Sequence, residues 1–351
     1  MAAATYCSVR DVKDALDVKA TAYSDRRILR AIESSSRSAD DLTHRKFWPQ
    51  TDTRYFDWPG PGPGRAWVLW LEQHEVISVT TLSSGGTTIT ASQYNLEPNG
   101  DGPPYDRIEL DLSASAAFGG GSTPQRDITL TGVYGYGADT VVAAAAAEAL
   151  DASETGVDVT DSSLLAAGDA VLVDSEYMTI SSTSMLDTGV DIDTGGALTA
   201  SISDVTLACD TTTGIPQPGE VILIDSERML VVDLAGATLT VKRAFDGTTL
   251  AAHSEAASIY APRTLNVTRG AWGTTAATHD NACVIHKHTP PALVRDLVIA
   301  EAIVRFEQES AGYARTVGGG ENARNASLAG LQDLRETTYT NLGRKLRHRA
   351  V

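Results

Sequence analysis

Cysteine is scarce in this sequence. Cys7, Cys209 and Cys283 are its only cysteines, too few and too widely spaced for a disulfide framework or a zinc cage. The N-terminal residues reach Arg10 and Asp11 before any apolar run that is long enough for a signal peptide. We therefore expect three reduced thiols in a chain that is made and kept in a cytosol.

A long apolar run is also missing. The longest one, 141–147, is mostly alanine and ends at Glu148, whereas a membrane-spanning helix needs about 18 apolar residues or more. This excludes a membrane span. Only 6% of the 351 residues are aromatic, but 42% are hydrophobic, so the chain can build cores for about two or three domains.

Basic residues are nearly absent from the middle of the chain. Residues 139–260 contain 20 Asp and Glu but only 3 Lys and Arg, whereas the charges of the two flanks sum to zero. Such a shift in composition is typical of an inserted domain. The net charge of −17 also argues against sequence-specific DNA binding, because DNA-binding proteins place Lys and Arg on one face. It is compatible with letting DNA pass without gripping it.

The sequence contains no familiar catalytic motif. It has no G-x-S-x-G, no P-loop and no H-E-x-x-H. His286 and His288 can share one face of a strand, but no third metal ligand is close to them in the sequence. We therefore predict a protein that is not an enzyme and that has no cofactor and no metal site.

Two acidic motifs, 174–176 and 225–227, each read Asp-Ser-Glu. They could supply carboxylates to a calcium ion, but calcium needs further oxygen ligands. Asp-Ser directly after an apolar run is typical of a tight hairpin turn, because the short side chains hydrogen-bond the backbone, and we favour the turn. Four basic residues recur with the repeat described below, and we expect them to make structural contacts within loops: Arg243, Arg269, His253 and His279.

Two helices are predicted in the first 48 residues. Ser8 followed by Asp11 is typical of an N-cap, and Ser24 begins a second helical pattern that ends before Trp48. The apolar face of the second helix is narrow and rich in small residues, which permits close approach of another helix, from the same chain or from a second subunit. The subunit-packing residues predicted on this face are Ile28, Ile32, Ser35, Ala39 and Leu42.

Between Thr51 and Tyr136, apolar residues recur at every second position, whereas the preceding segment has a helical spacing. Clusters of Gly and Pro separate the alternating segments, so we predict an antiparallel β layer. Its predicted strands are 53–58, 66–71, 75–82, 87–96, 107–112 and 127–133. Helices return after Pro290, and beyond a glycine hinge at 318–320 a last helix reaches Leu342.

The middle of the chain contains an internal repeat. Residues 168–178 recur 51 positions later as 219–229, and residues 239–253 recur 26 positions later as 265–279. Two different offsets fit one module nested inside another and do not fit a tandem array. The predicted boundaries are 157–203 with 261–287 for the outer module and 204–260 for the nested module.

The predicted fold class is α+β. N- and C-terminal helices pack with the antiparallel β layer, and the two nested β modules form an inserted all-β region. In this prediction the core domain is 1–138 with 288–351, and the inserted acidic region is 139–287.

The chain ends in a basic segment without an acidic residue. A charge run at a chain end is usually solvated. Alternatively, cations at the C-terminal end of a helix complement the helix dipole and can enter an acidic groove on another protein. The residues that we single out for such docking are Arg335, Arg344, Lys345, Arg347 and Arg349.

Four motifs lie outside the acidic middle: THRKFWP at 43–49, TRYF at 53–56, YNLEP at 94–98 and ITLTGVYG at 128–135. Together with the closing helix after two prolines, they resemble the head-to-tail adaptor (connector) proteins of long-tailed bacteriophages. The resemblance covers about residues 5–138 and 288–350.

The resemblance implies a homo-oligomeric ring of about twelve subunits in the neck of the virion, assembled in the host bacterial cytoplasm. The ring would join the portal protein, contacted by the C-terminal segment, to a stopper or tail-completion protein, and genomic DNA would pass through it without sequence-specific binding. We expect the acidic insert on the outer rim, where salt screens its charges.

The alternative is a tail-tip or surface-binding protein whose β modules recognise a receptor or a glycan. Exposed aromatic residues in the loops of the modules would favour this alternative. Residues 139–260 contain only Tyr177, Phe245 and Tyr260 as aromatics, which weighs against stacking on a carbohydrate.

Overall fold

The computed structural model of the protein describes residues 4–16, 23–59, 65–100, 102–310, 316–317, 324–325 and 329–344. In this part of the chain the protein is a mixed α+β molecule with large antiparallel sheets, which confirms the α+β class. The helices are α1 (Val9–Ala15), α2 (Asp25–Thr43), α3 (Ala292–Ser310) and α4 (Ala329–Leu342).

The strands fall into two groups along the chain. The first group is β1 (Gln50–Phe56), β2 (Val68–Trp70), β3 (Val76–Ser84), β4 (Thr87–Ile89), β5 (Tyr94–Glu97), β6 (Arg107–Leu110) and β7 (Ile128–Tyr134). The second group is β8 (Thr140–Ala145), β9 (Gly156–Asp158), β10 (Ala170–Val173), β11 (Glu176–Asp191), β12 (Thr206–Ala208), β13 (Val221–Ile224), β14 (Glu227–Ala235), β15 (Thr238–Lys242), β16 (Ser258–Ala271) and β17 (Val284–His288), followed by the short pair β18 (Thr316–Val317) and β19 (Arg324–Asn325).

The chain divides into two compact units. The first unit comprises 1–37, 140–271 and 275–334, and the second comprises 38–139, 272–274 and 335–351. This division differs from the predicted domains, which grouped 1–138 with 288–351. It differs because the N-terminal segment bonds to the acidic region: the backbone N–H of Val9 donates to the carbonyl of Ala167 at 2.9 Å, and α1 packs against α3.

In the second unit, the predicted β layer consists of two small antiparallel sheets. Their strand orders are β1-β7-β3-β4 and β2-β6-β5. Alternating apolar residues of both sheets enter one hydrophobic cluster, which includes Leu71, Leu82, Ile108, Ile128 and Leu130. The period of two in the sequence therefore reflects burial of one face of each sheet.

The strand predicted over 87–96 is instead two strands. A single 3-10 turn at Ala91–Gln93 separates β4 from β5. The turn forms because the backbone N–H of Thr90 donates to Oε1 of Gln93 at 2.9 Å, as in a capping box. This local capping interaction ends β4 at Ile89, within an alternating pattern that resembles one continuous strand.

In the first unit, the acidic region forms a ten-stranded antiparallel sheet. Its strand order is β12-β15-β14-β13-β16-β11-β10-β17-β8, with β9 also paired to β16. The two longest strands, β11 and β16, pair along most of their length through four register shifts. One of these shifts, between Ser184 and Leu186, separates the two sets of strands described next.

Two hydrophobic clusters lie along this sheet. The first β set contains β8, β9, β10, β11 up to Ser184, β16 from Thr264, and β17; its cluster includes Val171, Ile180, Leu265, Val267 and Ile285. The second β set contains β11 from Leu186, β12 to β15, and β16 up to Ala261; its cluster includes Val190, Ile192, Leu198, Ile222, Val231 and Ile259. Val190, Ile192 and Leu198 thus lie outside the cluster to which the predicted module boundary assigned them.

The predicted helix starts agree with the structure. Oγ of Ser8 accepts a hydrogen bond from the backbone N–H of Asp11 at 3.2 Å, and the Asp11 carboxylate accepts one from the backbone N–H of Ser8 at 2.8 Å. The predicted cap of α1 is therefore confirmed. Helix α2 begins directly after Ser24 and ends at Thr43, because His44 adopts a left-handed conformation with φ of 54°.

Candidate functional site

The first β set is organised around a buried carboxylate, Glu176. Its two oxygens accept hydrogen bonds from Nε and Nη2 of Arg269 at 2.8 and 2.9 Å. Nε2 of His279 lies 2.9 Å from a Glu176 oxygen, and Nδ1 of His279 lies 2.7 Å from Oδ2 of Asp174. Two backbone N–H groups complete the shell of Glu176, those of Gly270 at 2.8 Å and Ala277 at 3.0 Å.

The second β set repeats this arrangement around Glu227. Its oxygens accept from Nε and Nη2 of Arg243 at 2.8 and 2.9 Å. His253 again bridges two carboxylates, with Nε2 at 3.0 Å from Glu227 and Nδ1 at 2.8 Å from Asp225. Two backbone N–H groups again complete the shell, those of Ala244 at 2.8 Å and Ala251 at 2.9 Å.

Each arginine also holds a loop of its own set. Nη1 of Arg269 donates to two carbonyl oxygens of the loop 151–154, at 2.7 and 3.0 Å. Nη1 of Arg243 donates to two carbonyl oxygens of the loop 199–204, at 3.2 and 2.9 Å. The prediction that these arginines make structural loop contacts is confirmed.

The Asp-Ser-Glu motifs form hairpin turns, as predicted. Asp174 and Asp225 adopt positive φ angles of 50° and 52° and connect β10 to β11 and β13 to β14. The predicted turn gave no role to the third residue of each motif, although Glu176 and Glu227 are the buried centres of the two sets. The sequence does mark them, because the same Glu, Arg and His recur at matched positions in both repeats.

The surroundings of the two glutamates determine their charge. Burial disfavours the charged form of Glu176, but hydrogen bonds from Arg269 and His279 outweigh burial and lower the pKa of Glu176 to about 2. The same opposition, with Arg243 as the main donor, lowers the pKa of Glu227 to about 2. A carboxylate with such a pKa does not accept a proton at neutral pH, so the arrangement suits fixed architecture rather than general base catalysis.

A third buried ion pair links the two β sets. Glu220, directly before β13, accepts hydrogen bonds from Nε and Nη2 of Arg263 on β16, both at 2.9 Å. The backbone N–H and the hydroxyl of Ser162, in a loop between β9 and β10, donate to the same carboxylate at 2.9 and 2.8 Å. Because Ser162 and Glu220 belong to different sets, this ion pair fixes one set against the other.

The second unit contains a cleft of about 570 Å³. Glu75, which is only 7% exposed, lies 3.2 Å from Nη2 of Arg45 and 3.1 Å from Nη2 of Arg344. The guanidinium group of Arg54 stacks on the ring of Tyr134, with 3.9 Å between its carbon atom and the ring centre. The charged lining is therefore extensively paired within the unit.

The predicted docking residues lie in different environments. Arg344 bonds within its own unit, since its guanidinium group contacts Glu75 and its backbone N–H donates to the carbonyl of Thr43 at 2.8 Å. Arg335 is half-buried on α4. The remaining three residues, Lys345, Arg347 and Arg349, lie outside the described residues. A docking role for this segment stays a prediction.

The predicted packing face of α2 is covered by the chain itself. Ile28, Ile32, Ser35 and Ala39 are fully buried within the single chain, and Leu42 is half-buried. The pattern therefore identifies a packing face. Contact of this face with a second subunit stays a prediction.

In the described part of the chain, no group of three or more His, Cys, Asp or Glu residues is arranged to hold a metal ion. Likewise, no helix in this part is long and apolar enough to cross a membrane. Comparison of the chain with protein-family models, with curated proteins and with solved structures finds no match.

Proposed function

We propose that the protein is a structural virion component without enzymatic activity, a subunit of the ring that joins the portal to the tail or stopper of a long-tailed bacteriophage. In this proposal the ring extends the DNA channel, and genomic DNA passes without sequence-specific binding. The acidic region would lie on the outer rim, where solvent and salt screen its charge.

The observation that carries the proposal is the role of the motif 43–49, which resembles a connector motif. Phe47 and Trp48 are 1% and 5% exposed, and the ring centre of Phe47 lies 5.2 Å from that of Tyr136. The carbonyl of Lys46 accepts a hydrogen bond from the backbone N–H of Tyr136 at 2.9 Å. The motif thus joins the end of α2 to the end of β7, as expected of a motif that specifies a fold and performs no chemistry.

The paired charges of the two β sets support the same proposal. The two buried glutamates at the centres of the β sets and the two buried histidines beside them bond to one another and to loop arginines. These bonds hold loops and turns in fixed positions. A protein that acts by shape and assembly requires this kind of rigidity.

We further propose that the acidic region arose by duplication, with one β module inserted into another. The matched charge clusters and the matched strand pairings support this proposal: β16-β9 corresponds to β15-β12, and β17-β10 corresponds to β16-β13. The inserted copy then occupies about 186–261, between the two halves of the pair β11-β16. The earlier boundary at 204 is shifted because Val190, Ile192 and Leu198 belong to the second cluster.

Mass measurement of the intact protein tests the proposed function. Native mass spectrometry or analytical ultracentrifugation would be applied to the full chain alone and mixed with the portal protein of the same virion. We expect a closed ring, alone or only on the portal. A monomer that forms no complex with the portal at any ratio would contradict the proposal.

The alternative of a surface-binding protein has one observation in its favour. Ile202 and Val232 are exposed on the second β set, at 63% and 56%. Under this alternative, fluorescently labelled protein would bind intact host cells in a saturable manner and would not bind the portal. The two measurements together separate the candidates.

A further inference from the structure

An apolar groove of about 660 Å³ opens on the second β set. Four of its lining residues are branched aliphatics: the buried Val241 and, nearer the surface, Ile202, Val205 and Val232. More than half of Ile202 and of Val232 is exposed. Clustered exposed aliphatic side chains favour burial against another molecule, because covering apolar surface is favourable in water. We call this feature the second-set groove.

The first β set shows that the fold does not require these apolar residues. Val232 corresponds to Ser181, and both occupy the bulged position of their strand pairs. Val205 corresponds to Thr155, since the carbonyl of each accepts a hydrogen bond at 2.8 Å from the neighbouring strand of its set. Polar residues therefore serve equally well at the same positions of the same architecture.

Ile202 has no counterpart in the first β set. The Arg243-bound loop 199–204 is two residues longer than the Arg269-bound loop 151–154, and Ile202 lies within the longer loop. The apolar character of the groove is thus specific to one of two otherwise matching sets. A structural role common to both sets does not explain it.

The charge of the residues that line the second-set groove is opposite to the net charge of the second β set. Residues 190–261 contain ten Asp and Glu against three Lys and Arg. Nevertheless, none of the residues that line the groove is acidic, and Lys242 is among them. The ammonium group of Lys242 lies 5.7 Å from the ring centre of Phe245 and makes no ion pair with the described residues, whereas Arg243 is neutralised by Glu227. The corresponding residue of the first set is Thr268.

We propose that the second-set groove binds an extended segment of a partner protein that presents a branched aliphatic side chain with a carboxylate beside it. The aliphatic side chain is buried against Ile202 and Val232, and the carboxylate pairs with Lys242. The net negative charge of residues 190–261 disfavours the same region of a second copy of this chain as the occupant. The proposal goes beyond the proposed ring and requires neither ring nor portal.

Methyl NMR of the full chain tests this proposal. Protein with labelled Ile, Leu and Val methyl groups is titrated with a blocked peptide of sequence Gly-Ser-Ile-Val-Asp-Gly-Ser. A second peptide has Lys in place of Asp. We expect saturable shifts of the methyl signals of Ile202, Val205 and Val232, with a dissociation constant in the millimolar range. The Lys peptide should bind about fivefold more weakly, because its charge repels Lys242.

Three variants sharpen the test. Val232→Ser installs the residue of the first set and should weaken binding by about fivefold. Lys242→Thr, also the residue of the first set, should abolish the preference for the Asp peptide. Val142→Ser removes an equally exposed valine from β8 and should leave binding unchanged.

Three outcomes would overturn the proposal. The first is the absence of saturable shifts at Ile202 and Val232 in wild-type protein. The second is equal binding of the two peptides. The third is a concentration-dependent shift of the same methyl signals without peptide, which would identify a second copy of the chain as the occupant.

Discussion

At the scale of single residues, Glu227 and Glu176 determine how the two β sets hold their loops. The side chains of Glu227 and Arg243 are completely buried, and those of Glu176 and Arg269 are nearly so. Removing two charges from water is costly, and only good geometry with saturated hydrogen bonding offsets the cost. Loss of one partner leaves the other as an uncompensated buried charge, which makes these positions sensitive to substitution.

Replacement of Glu227 by Gln tests this sensitivity. Glu227→Gln keeps the size of the side chain but leaves Arg243 without a buried counter-ion. We expect the free energy of unfolding of the first unit to fall by about 3 kcal/mol, and by a similar amount for Glu176→Gln. Urea denaturation followed by circular dichroism measures the change.

Glu33→Gln, at an exposed position on α2, is the control and should change stability by less than about 0.5 kcal/mol. Equal stability of the Glu227 and Glu33 variants would contradict this account.

The same two glutamates predict how stability depends on pH. Their pKa is about 2 in the folded protein, against an ordinary value of 4.5. Because the folded-state pKa is the lower one, their contribution is fully present above pH 4.5 and is lost as the pH falls towards 2. We expect the free energy of unfolding to decrease across this window. The decrease should be shallower in the double variant Glu176→Gln and Glu227→Gln. Urea titrations at several pH values measure how steeply the free energy of unfolding falls with pH in the wild type and in the double variant. Identical slopes would show that the two glutamates do not cause the pH dependence.

At the scale of elements, local signals were readable from the sequence and distant pairings were not. Ser8 and Asp11 define the start of α1 through contacts three residues apart, so the cap could be predicted. Arg269 and His279, in contrast, lie 93 and 103 positions from Glu176. Their meeting depends on the register of β11 against β16, which no local pattern encodes. The turn of the Asp-Ser-Glu motif was therefore predictable. The recurrence of the same Glu, Arg and His in both repeats marked these residues but did not show that they pair with one another.

Two glycines with positive φ provide a test at this scale. Gly273, with φ of 85°, passes so close to Thr51 that a Cβ atom would overlap the Thr51 carbonyl oxygen, whereas Gly236, with φ of 63°, has no atom within 4 Å of such a Cβ. We expect Gly273→Ala to destabilise the second unit by about 3 kcal/mol, from strain and overlap together. Tryptophan fluorescence measures this, because all five tryptophans belong to that unit. Gly236→Ala should cost the first unit about 1 kcal/mol, from strain alone, and circular dichroism follows this unit because it contains no tryptophan. Equal effects would show that the contact with Thr51 is unimportant.

At the scale of the whole molecule, the boundaries of the two units do not coincide with the change in composition along the chain. The shift in charge at residue 139 indicated an inserted region, yet the N-terminal segment belongs with that region. An amphipathic helix requires a partner surface but does not specify which one, so composition could not assign α1. The backbone bond from Val9 to Ala167 supplies the missing contact. The buried apolar residues of α1, Val9 and Val12, lie three positions apart in the sequence, which places them on one face of the helix.

The C-terminal segment carries the last prediction. A deletion from residue 342 onward would remove Arg344, whose guanidinium group neutralises the buried Glu75. Deletion of 345–351 alone removes Lys345, Arg347 and Arg349 but keeps Arg344. It should leave the tryptophan-detected unfolding transition unchanged while weakening attachment to the portal. Reversal of charge at Lys345, Arg347 and Arg349 to Glu should weaken attachment equally. Arg344→Gln should instead leave attachment to the portal unchanged. It should lower the stability of the second unit by about 2 kcal/mol, because the buried carboxylate of Glu75 loses one of its partners. Co-sedimentation with portal rings measures attachment, and undiminished binding of the shortened chain would remove the docking role from this segment.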